Sequence, residues 1–292
     1  MFPKLKFLLG IINSLLYASI TVFFGIAVLI GGLLVWIIPS KRWRHCATRQ
    51  VLKIPLGWMS LVNVVIQWNS RHRWDIQGPM TALHPNRWYV LIANHQSWID
   101  ILVLGFVFNR HIPLLKFFMK KELLWTLPFA GLACWLLDYP FVSRHSRSAI
   151  RKNPELKYRD IQAVKKACQK IKEHPATLVN FVEGSRFSEE KRLKQHSPYH
   201  HLLKPKAGGT AIVIHELADH LAGIINVTLQ YHTQHKPITF WKFSCNDFEK
   251  ISIHYEYLPI THDLIGDYYE DRRFRKHFQS WLNILWKRKD QH

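Results

Sequence analysis

The chain has 292 residues, 48% of them hydrophobic, and sets 40 Lys+Arg against 20 Asp+Glu for a formal net charge of +20 at pH 7. A field of that sign attracts phosphate polymers or anionic lipid surfaces, and the length exceeds one typical domain, although part of it is not globular in composition. The four cysteines, Cys46, Cys134, Cys168 and Cys245, are far apart and form no C-x-x-C pair, which argues against a structural zinc and a disulfide framework and fits a reduced compartment.

From Phe7 to Pro39 no side chain is charged, enough for about 50 Å of helix where a bilayer core needs about 30 Å. It is too long for a secretory signal, so it is expected to stay as a membrane-anchoring segment, 1–45, ahead of a single domain, 46–292. One tilted span and a re-entrant hairpin bent near Gly25 or Gly31-Gly32 both fit. Lys4 and Lys6 precede the segment, while Lys41, Arg42, Arg44 and Arg49 follow it, so the positive-inside bias puts the rest of the chain in the cytoplasm. With such an anchor the membrane is a simpler partner than nucleic acid, for which no R-G-F-x-F signature or G-x-x-G clamp is present. Trp36, Trp58, Trp68, Trp74 and Trp125 suit an interfacial belt, with core packing the default beyond residue 70.

The apolar run Trp88 to Ala93 predicts a buried strand, which delivers Asn94-His95-Gln96-Ser97-Trp98-Ile99-Asp100 to its C-terminal end just as the chain turns into a helix. On one continuous helix His95 and Asp100 would point to different faces; they meet only if the helix starts between them. Ser97 reads as the N-cap. Asp100 then folds back to hold one imidazole nitrogen, and the other is free to take a proton from a hydroxyl. The plain alternative is a capping box in which Asp100 bonds only backbone N–H groups and His95 is incidental. Two more strand ends favour the chemical reading. Tyr139 to Ser143 ends on Arg144, and Ala176 to Val182 runs into Glu183-Gly184-Ser185-Arg186. Arg forks bind phosphate bidentately, so a general base beside an anion site is the common theme, although each arginine alone would read as a solvated cation.

Residues 188–206 form a polar, His/Lys-rich loop, a candidate mobile flap that ends on Lys206. Strands follow at Leu221 to Tyr231 and Ile251 to Leu258. A last amphipathic helix, 268–289, is expected to pack on the sheet in preference to lying in a membrane interface. His215 to His220 misses zinc-peptidase spacing because its histidines sit five positions apart, and His196, His200 and His201 lack carboxylate or thiol partners, so no metal is expected. Ser97 and Ser185 lie in no G-x-S-x-G elbow.

These stretches resemble the glycerolipid acyltransferases typified by 1-acylglycerol-3-phosphate (lysophosphatidate) acyltransferase. Asn94 to Asp100 matches the N-H-x-S-x-x-D motif of that family, Phe141 to Arg144 its F-x-x-R motif, and Phe181 to Ser188 its F-P-E-G-T-R-S motif; Lys121-Glu122-Leu123, Pro128 and Gly131 fall between the first two as the family spaces them. The likeness covers about Trp74 to Tyr231. The whole chain looks most like an enterobacterial inner-membrane member, and Asn180 to Phe187 also looks like the eukaryotic lysocardiolipin branch. Val182 replaces the usual proline, Asp138 stands where glycine is common, and Ile224 to Thr228 lacks the fourth motif's proline; these read as changes in acceptor or acyl-chain preference.

The resemblance implies an α/β fold, a mixed central sheet flanked by helices, with an N-terminal membrane helix or helical hairpin. It implies transfer of a fatty acyl group from acyl-CoA or acyl-acyl-carrier-protein, with no further cofactor, to the hydroxyl of a lysophospholipid, most simply lysophosphatidate. His95 would be the base and Asp100 its orienting partner. Arg144 and Arg186 would grip the acceptor phosphate, Glu183, Gly184 and Ser185 would shape the site, and Lys206 would assist it. The rival reading is a non-catalytic, membrane-anchored basic protein binding acidic lipid or RNA.

Overall fold

The computed structural model describes residues 3–70, 73–127, 129–143, 152–153, 155–233 and 237–291. Its centre is a six-stranded sheet in the order β1-β8-β7-β2-β6-β3, built from β1 (Arg73–Gln77), β2 (Trp88–Ala93), β3 (Leu115–Phe117), β6 (Thr177–Phe181), β7 (Leu221–His232) and β8 (Lys250–Leu258). The β7/β8 pair is antiparallel and the other pairs are parallel, so the sheet is mixed, as expected. β4 (Met119–Lys120) and β5 (Phe141–Val142) form a separate two-stranded ribbon.

Strands that are buried on both faces read as unbroken apolar runs, and β2 is such a strand. Tyr89, Leu91 and Ala93 point into one core and Val90 and Ile92 into the other. On the first face lie α1 (Pro3–Ile37), α3 (Ile54–Asn69), α4 (Asp100–Phe108) and α10 (Phe240–Ser244), with α2 (Lys41–Val51) linking α1 to α3; of two short helices, α6 (Ala130–Leu136) packs on α1 and α5 (Leu123–Thr126) packs on α6. On the opposite face lie α7 (Glu155–Ile171), α9 (Gly208–Leu217) and α11 (Arg272–Lys289). α8 (Glu189–Lys194) sits in the connection after β6. Asp271 caps α11 by accepting from the N–H groups of Arg273 and Phe274, and the helix buries Phe278, Leu282, Leu285, Trp286 and the cation Lys289, while no other lysine or arginine of the helix is buried.

The N-terminal segment is the expected long apolar helix. α1 is one unbroken helix, and its glycines are contact points, not bends: a side chain at Gly25 would meet Phe129, and one at Gly32 would meet Leu136. α1 packs against α3. α1 also joins the core of the sheet layer, since Tyr17 and Ile20 share a cluster with Leu91 and Val103. Polar ties strengthen the join: Lys6 pairs with Asp247 at 2.7 Å, and Asn13 Nδ2 donates to the Ser244 carbonyl at 2.7 Å. The outer side of this layer is apolar, with Phe7, Phe23, Leu33 and Trp36 of α1 and Val64 and Trp68 of α3 exposed. Two stretches, Lys4–Ile37 and Lys41–Trp68, are long and apolar enough to cross a bilayer, and they fit membrane association. Trp125, for which core packing was the default, is exposed beside them, whereas Trp74 stacks on Phe106.

The 188–206 segment is not a loose flap. Ser188 caps α8, Tyr199, Leu202 and Leu203 are buried, and the Asp290 carboxylate accepts from the N–H groups of His200 and His201 at 2.7 and 2.8 Å. Apolar residues spaced among its lysines and histidines pin it to the end of α11.

Candidate active site

Parallel pairing decides which loops meet. Ala93 lies opposite Phe181 on one side and Val227 on the other, so the residues that follow β2 and β6 emerge together at one sheet edge. Asn94 extends the ladder with its side chain: Nδ2 donates to the Leu229 carbonyl at 2.9 Å, and Oδ1 accepts from the Leu229 N–H at 2.8 Å. His95 follows directly, its ring stacked on Phe181 with centroids 4.0 Å apart and planes 13° apart.

Asp100 opens α4 and is fully buried. Its Oδ2 accepts from His95 Nδ1 at 2.7 Å and from the N–H groups of Gln96 at 2.7 Å and Ser97 at 3.0 Å. Oδ1 accepts from the Tyr231 hydroxyl at 2.6 Å. One carboxylate therefore serves as helix cap and histidine partner at once, and the two readings of the motif are not exclusive. A carboxylate opposite Nδ1 selects the tautomer protonated there, which leaves Nε2 for the cleft that His95 lines. Ser97 is not the N-cap: α4 starts after Ile99, and the Ser97 hydroxyl donates instead to the Ile238 carbonyl at 2.9 Å. The Asp100 carboxylate holds the N–H groups of Gln96 and Ser97, upstream of those a serine cap would bind, and the Ser97 hydroxyl keeps only a 3.5 Å contact from the Ile99 N–H.

The cleft at His95 encloses about 500 Å³. Ser185, Arg186 and Lys191 line its mouth, and Trp58, Phe117, Leu123, Leu127 and Phe181 are among its apolar walls. The Arg186 guanidinium lies over the Trp98 ring, 5.4 Å from its centroid, so the arginine is held flat at the entrance. Met119 and Lys120 of β4 also line the cleft, and β4 pairs with β5, the strand that leads towards Arg144. Arg144 itself, like Pro128, lies outside the described residues.

Glu183 is placed differently from a substrate-binding side chain. It is fully buried, and neither carboxyl oxygen has a well-formed hydrogen bond among the described residues. Burial pushes its carboxyl up to about 8; Leu203 and His95 backbone N–H groups and the Lys289 ammonium pull it back only in part. Lys289, buried at the end of α11, donates to the Val227 carbonyl, and burial brings its amine down to about 7 against the opposing pull of Glu183 and Glu256. Glu183 thus sits beneath the turn, within the protein, as part of a buried acid–amine arrangement. Gly184 makes the turn, with φ +72°, and a side chain there would meet Lys206 Nζ at 2.9 Å. Lys206 stands on the far side of Gly184 from the cleft, its N–H bonded to the Val182 carbonyl at 2.7 Å.

The site therefore joins His95, Asp100, Ser185 and Arg186 around one cleft, with Gly184 and Lys206 behind the turn and Glu183 below it. Tyr231, Phe181 as the imidazole's floor, and Lys289 were not singled out from the sequence. Only the apolar character of β6 and β7 hinted at the first two, and Lys289 looked like one of several cations on its helix.

A fold with two strand ends converging on a His–Asp pair is found in a known class. The family model described as Acyltransferase matches residues 75–233, more than half of the chain. The chain belongs to the acyltransferase family. The relatives it resembles include the 1-acyl-sn-glycerol-3-phosphate acyltransferase alpha of Ovis aries, 43% identical over 61 residues, which is 20% of each protein. A putative 1-acyl-sn-glycerol-3-phosphate acyltransferase of Caenorhabditis elegans is 26% identical over 152 residues, 50% of this chain and 51% of that one. The matches thus span from 20% to about half the length of these curated relatives. In fold, the chain is similar to the crystal structure of the 1-acyl-sn-glycerophosphate acyltransferase from Thermotoga maritima, with TM-score 0.57, 16% identity, and coverage of 98% of this chain and 96% of that one.

Proposed function

We propose that this acyltransferase moves a fatty acyl group from an acyl thioester to the free hydroxyl of a lysophospholipid, with lysophosphatidate the acceptor that best suits the site. The observation that carries the reading is the 2.7 Å contact from His95 Nδ1 to a buried Asp100 at the mouth of an apolar cleft guarded by Arg186. His95 Nε2 takes the hydroxyl proton as the oxygen attacks the thioester carbon, and Asp100 stabilises the imidazolium. The C–O bond forms, the C–S bond breaks, and the proton leaves with the sulfur. No acyl-enzyme is required, and positioning of the two substrates does much of the work.

Arg186, with Arg144, offers planar forks for the acceptor phosphate, and the apolar walls suit an acyl chain. The N–H groups of Gln96 and Ser97 are occupied by Asp100, whereas that of Trp98 has no partner among the described residues, which makes it the candidate donor to the developing oxyanion. The exposed apolar side of α1 and α3 would hold the protein on a bilayer, and the flanking positive charge favours the cytoplasmic face of a bacterial inner membrane.

The test is to incubate membranes containing the protein with labelled acyl-CoA or acyl-acyl-carrier-protein and a panel of lysophospholipids, then resolve the products. His95→Ala should lower turnover by about 10²-fold or more at unchanged expression. Transfer to no acceptor, together with salt-sensitive nucleic-acid binding that survives His95→Ala, would overturn the reading.

A further inference from the structure

A second and larger cavity, about 1250 Å³, lies behind the Gly184 turn. Lys194, His196, Lys204, Lys206, Tyr268 and Tyr269 line much of it, and no Asp or Glu does among the described residues. In a chain with 20 acidic residues, a large concave surface lined by lysines and free of acidic side chains among the described residues suits a multiply charged anion.

Its position narrows the choice. The two cavities have no lining residue in common but are neighbours along α8, where Lys191 lines the His95 cleft and Lys194, about one turn further on, lines this one. Between them stands Gly184, whose missing side chain leaves the room that a Cβ would take from Lys206. Yet the second cavity is bounded by the start of α9 and by residues just before α11, which belong to the sheet face opposite α1, α3 and α4. A lipid acceptor arrives from the apolar α1/α3 side. The co-substrate that comes from water is the thioester, and its carrier carries the phosphates.

We propose that this cavity holds the nucleotide end of a coenzyme A thioester, with the lysines on its phosphates, Tyr268 and Tyr269 beside the base, and the pantetheine arm passing Gly184 to bring the thioester to His95. The two tyrosine rings meet edge to face, with centroids 5.4 Å apart, and present a ring surface next to the cations. A concave site of this kind suits a small nucleotide; an acidic carrier protein would dock on a convex basic face. The inference rests on the acyl-transfer reading above for the thioester, but not for the nucleotide.

Full-length protein in detergent micelles is titrated with adenosine 3′,5′-bisphosphate, as wild type and as the double variant Lys194→Glu/Lys204→Glu. Both lysines are exposed, and circular dichroism checks that the variant is folded. The expected result is saturable binding that weakens at least about tenfold in the variant, with a similar rise in KM for acyl-CoA and a change of less than about twofold in KM for the lysophospholipid. No saturable binding by the wild type, equal affinity in both proteins, or equal shifts in the two KM values would each overturn the proposal. Because the titration needs no turnover, a protein that binds the nucleotide at this site but transfers no acyl group supports the site and refutes the acyl-transfer reading.

Discussion

Replacing Tyr231 by Phe removes a single oxygen from the interior and tests whether Asp100 acts through its fixed position. The ring is 9% exposed and packs near Phe248, so the substitution leaves almost no cavity. What disappears is the 2.6 Å hydrogen bond to Asp100 Oδ1; Oδ2 keeps its three N–H donors. A hydrogen bond to a charged acceptor is worth about 1.5–3 kcal/mol, and the variant also escapes the burial of a phenolic hydroxyl, so the lower end, about 1.5 kcal/mol of stability, is expected. Freed on one side, the carboxylate can rotate away from His95 Nδ1. If a similar energy is lost in the transition state, turnover falls about tenfold. Burial, with Asp100 alongside, raises the Tyr231 hydroxyl well above its ordinary pKa, so it stays protonated and the rate ratio should be flat between about pH 6 and 9. Urea unfolding and initial rates with both substrates measure the two effects. A rate within twofold of wild type alongside the full stability loss would show that the Tyr231–Asp100 bond is merely structural.

Asp100→Asn can keep an oxygen towards Gln96 and Ser97 while losing the charge opposite His95, so turnover should fall about 10²-fold or more for a stability loss of only about 1–2 kcal/mol; parallel losses would return Asp100 to a simple cap. Arg186→Lys keeps the charge but gives up the fork and the seat on Trp98, so KM for the acceptor should rise more than KM for the donor, and equal shifts would argue against phosphate binding by Arg186. Lys289→Met addresses the buried pair. Glu183, at about 8 against an ordinary 4.5, holds a proton in the native state that the unfolded chain releases, so its contribution to stability declines as pH rises through that window. Lys289, at about 7 against 10.5, does the reverse, and stability recovers as pH rises between those values. The Met variant removes the recovery and the cation that pulls Glu183 down, so urea midpoints near pH 5, 7 and 9 should decline more steeply, without a rise at the top; a wild-type profile would refute the pairing.

The parts of this site that depend on local geometry were legible in the sequence. His95 and Asp100 can meet only across a helix start, and an apolar run followed by a polar septet gives that start away. The contacts from Phe181 and Tyr231 depend on the register of β2 against β6 and β7, which apolar patterning leaves open. Ser97 was misassigned because a capping rule ranks residues by position and cannot foresee that the hydroxyl would turn to the Ile238 carbonyl, which the tertiary fold brings beside it. The glycines of α1 read equally well as bends or as close approaches, and only Phe129 and Leu136, about a hundred residues away, decide between these. Glu183 was read as a substrate-shaping group because it falls within the motif Phe181 to Ser188, while its buried setting involves Lys289 from the far end of the chain.

α3 has α1 on one side and, on the other, α4, whose first residue is Asp100. Packed helices lie about 8–10 Å apart, so the separation between the lipid-facing surface and the imidazole is set by rigid layers and not by a tether. Seated on a bilayer, such a protein is a depth gauge. On the proposed function it would meet only hydroxyls at the level where His95 is held, so it would select its acceptor by depth in the bilayer as well as by chemical reactivity.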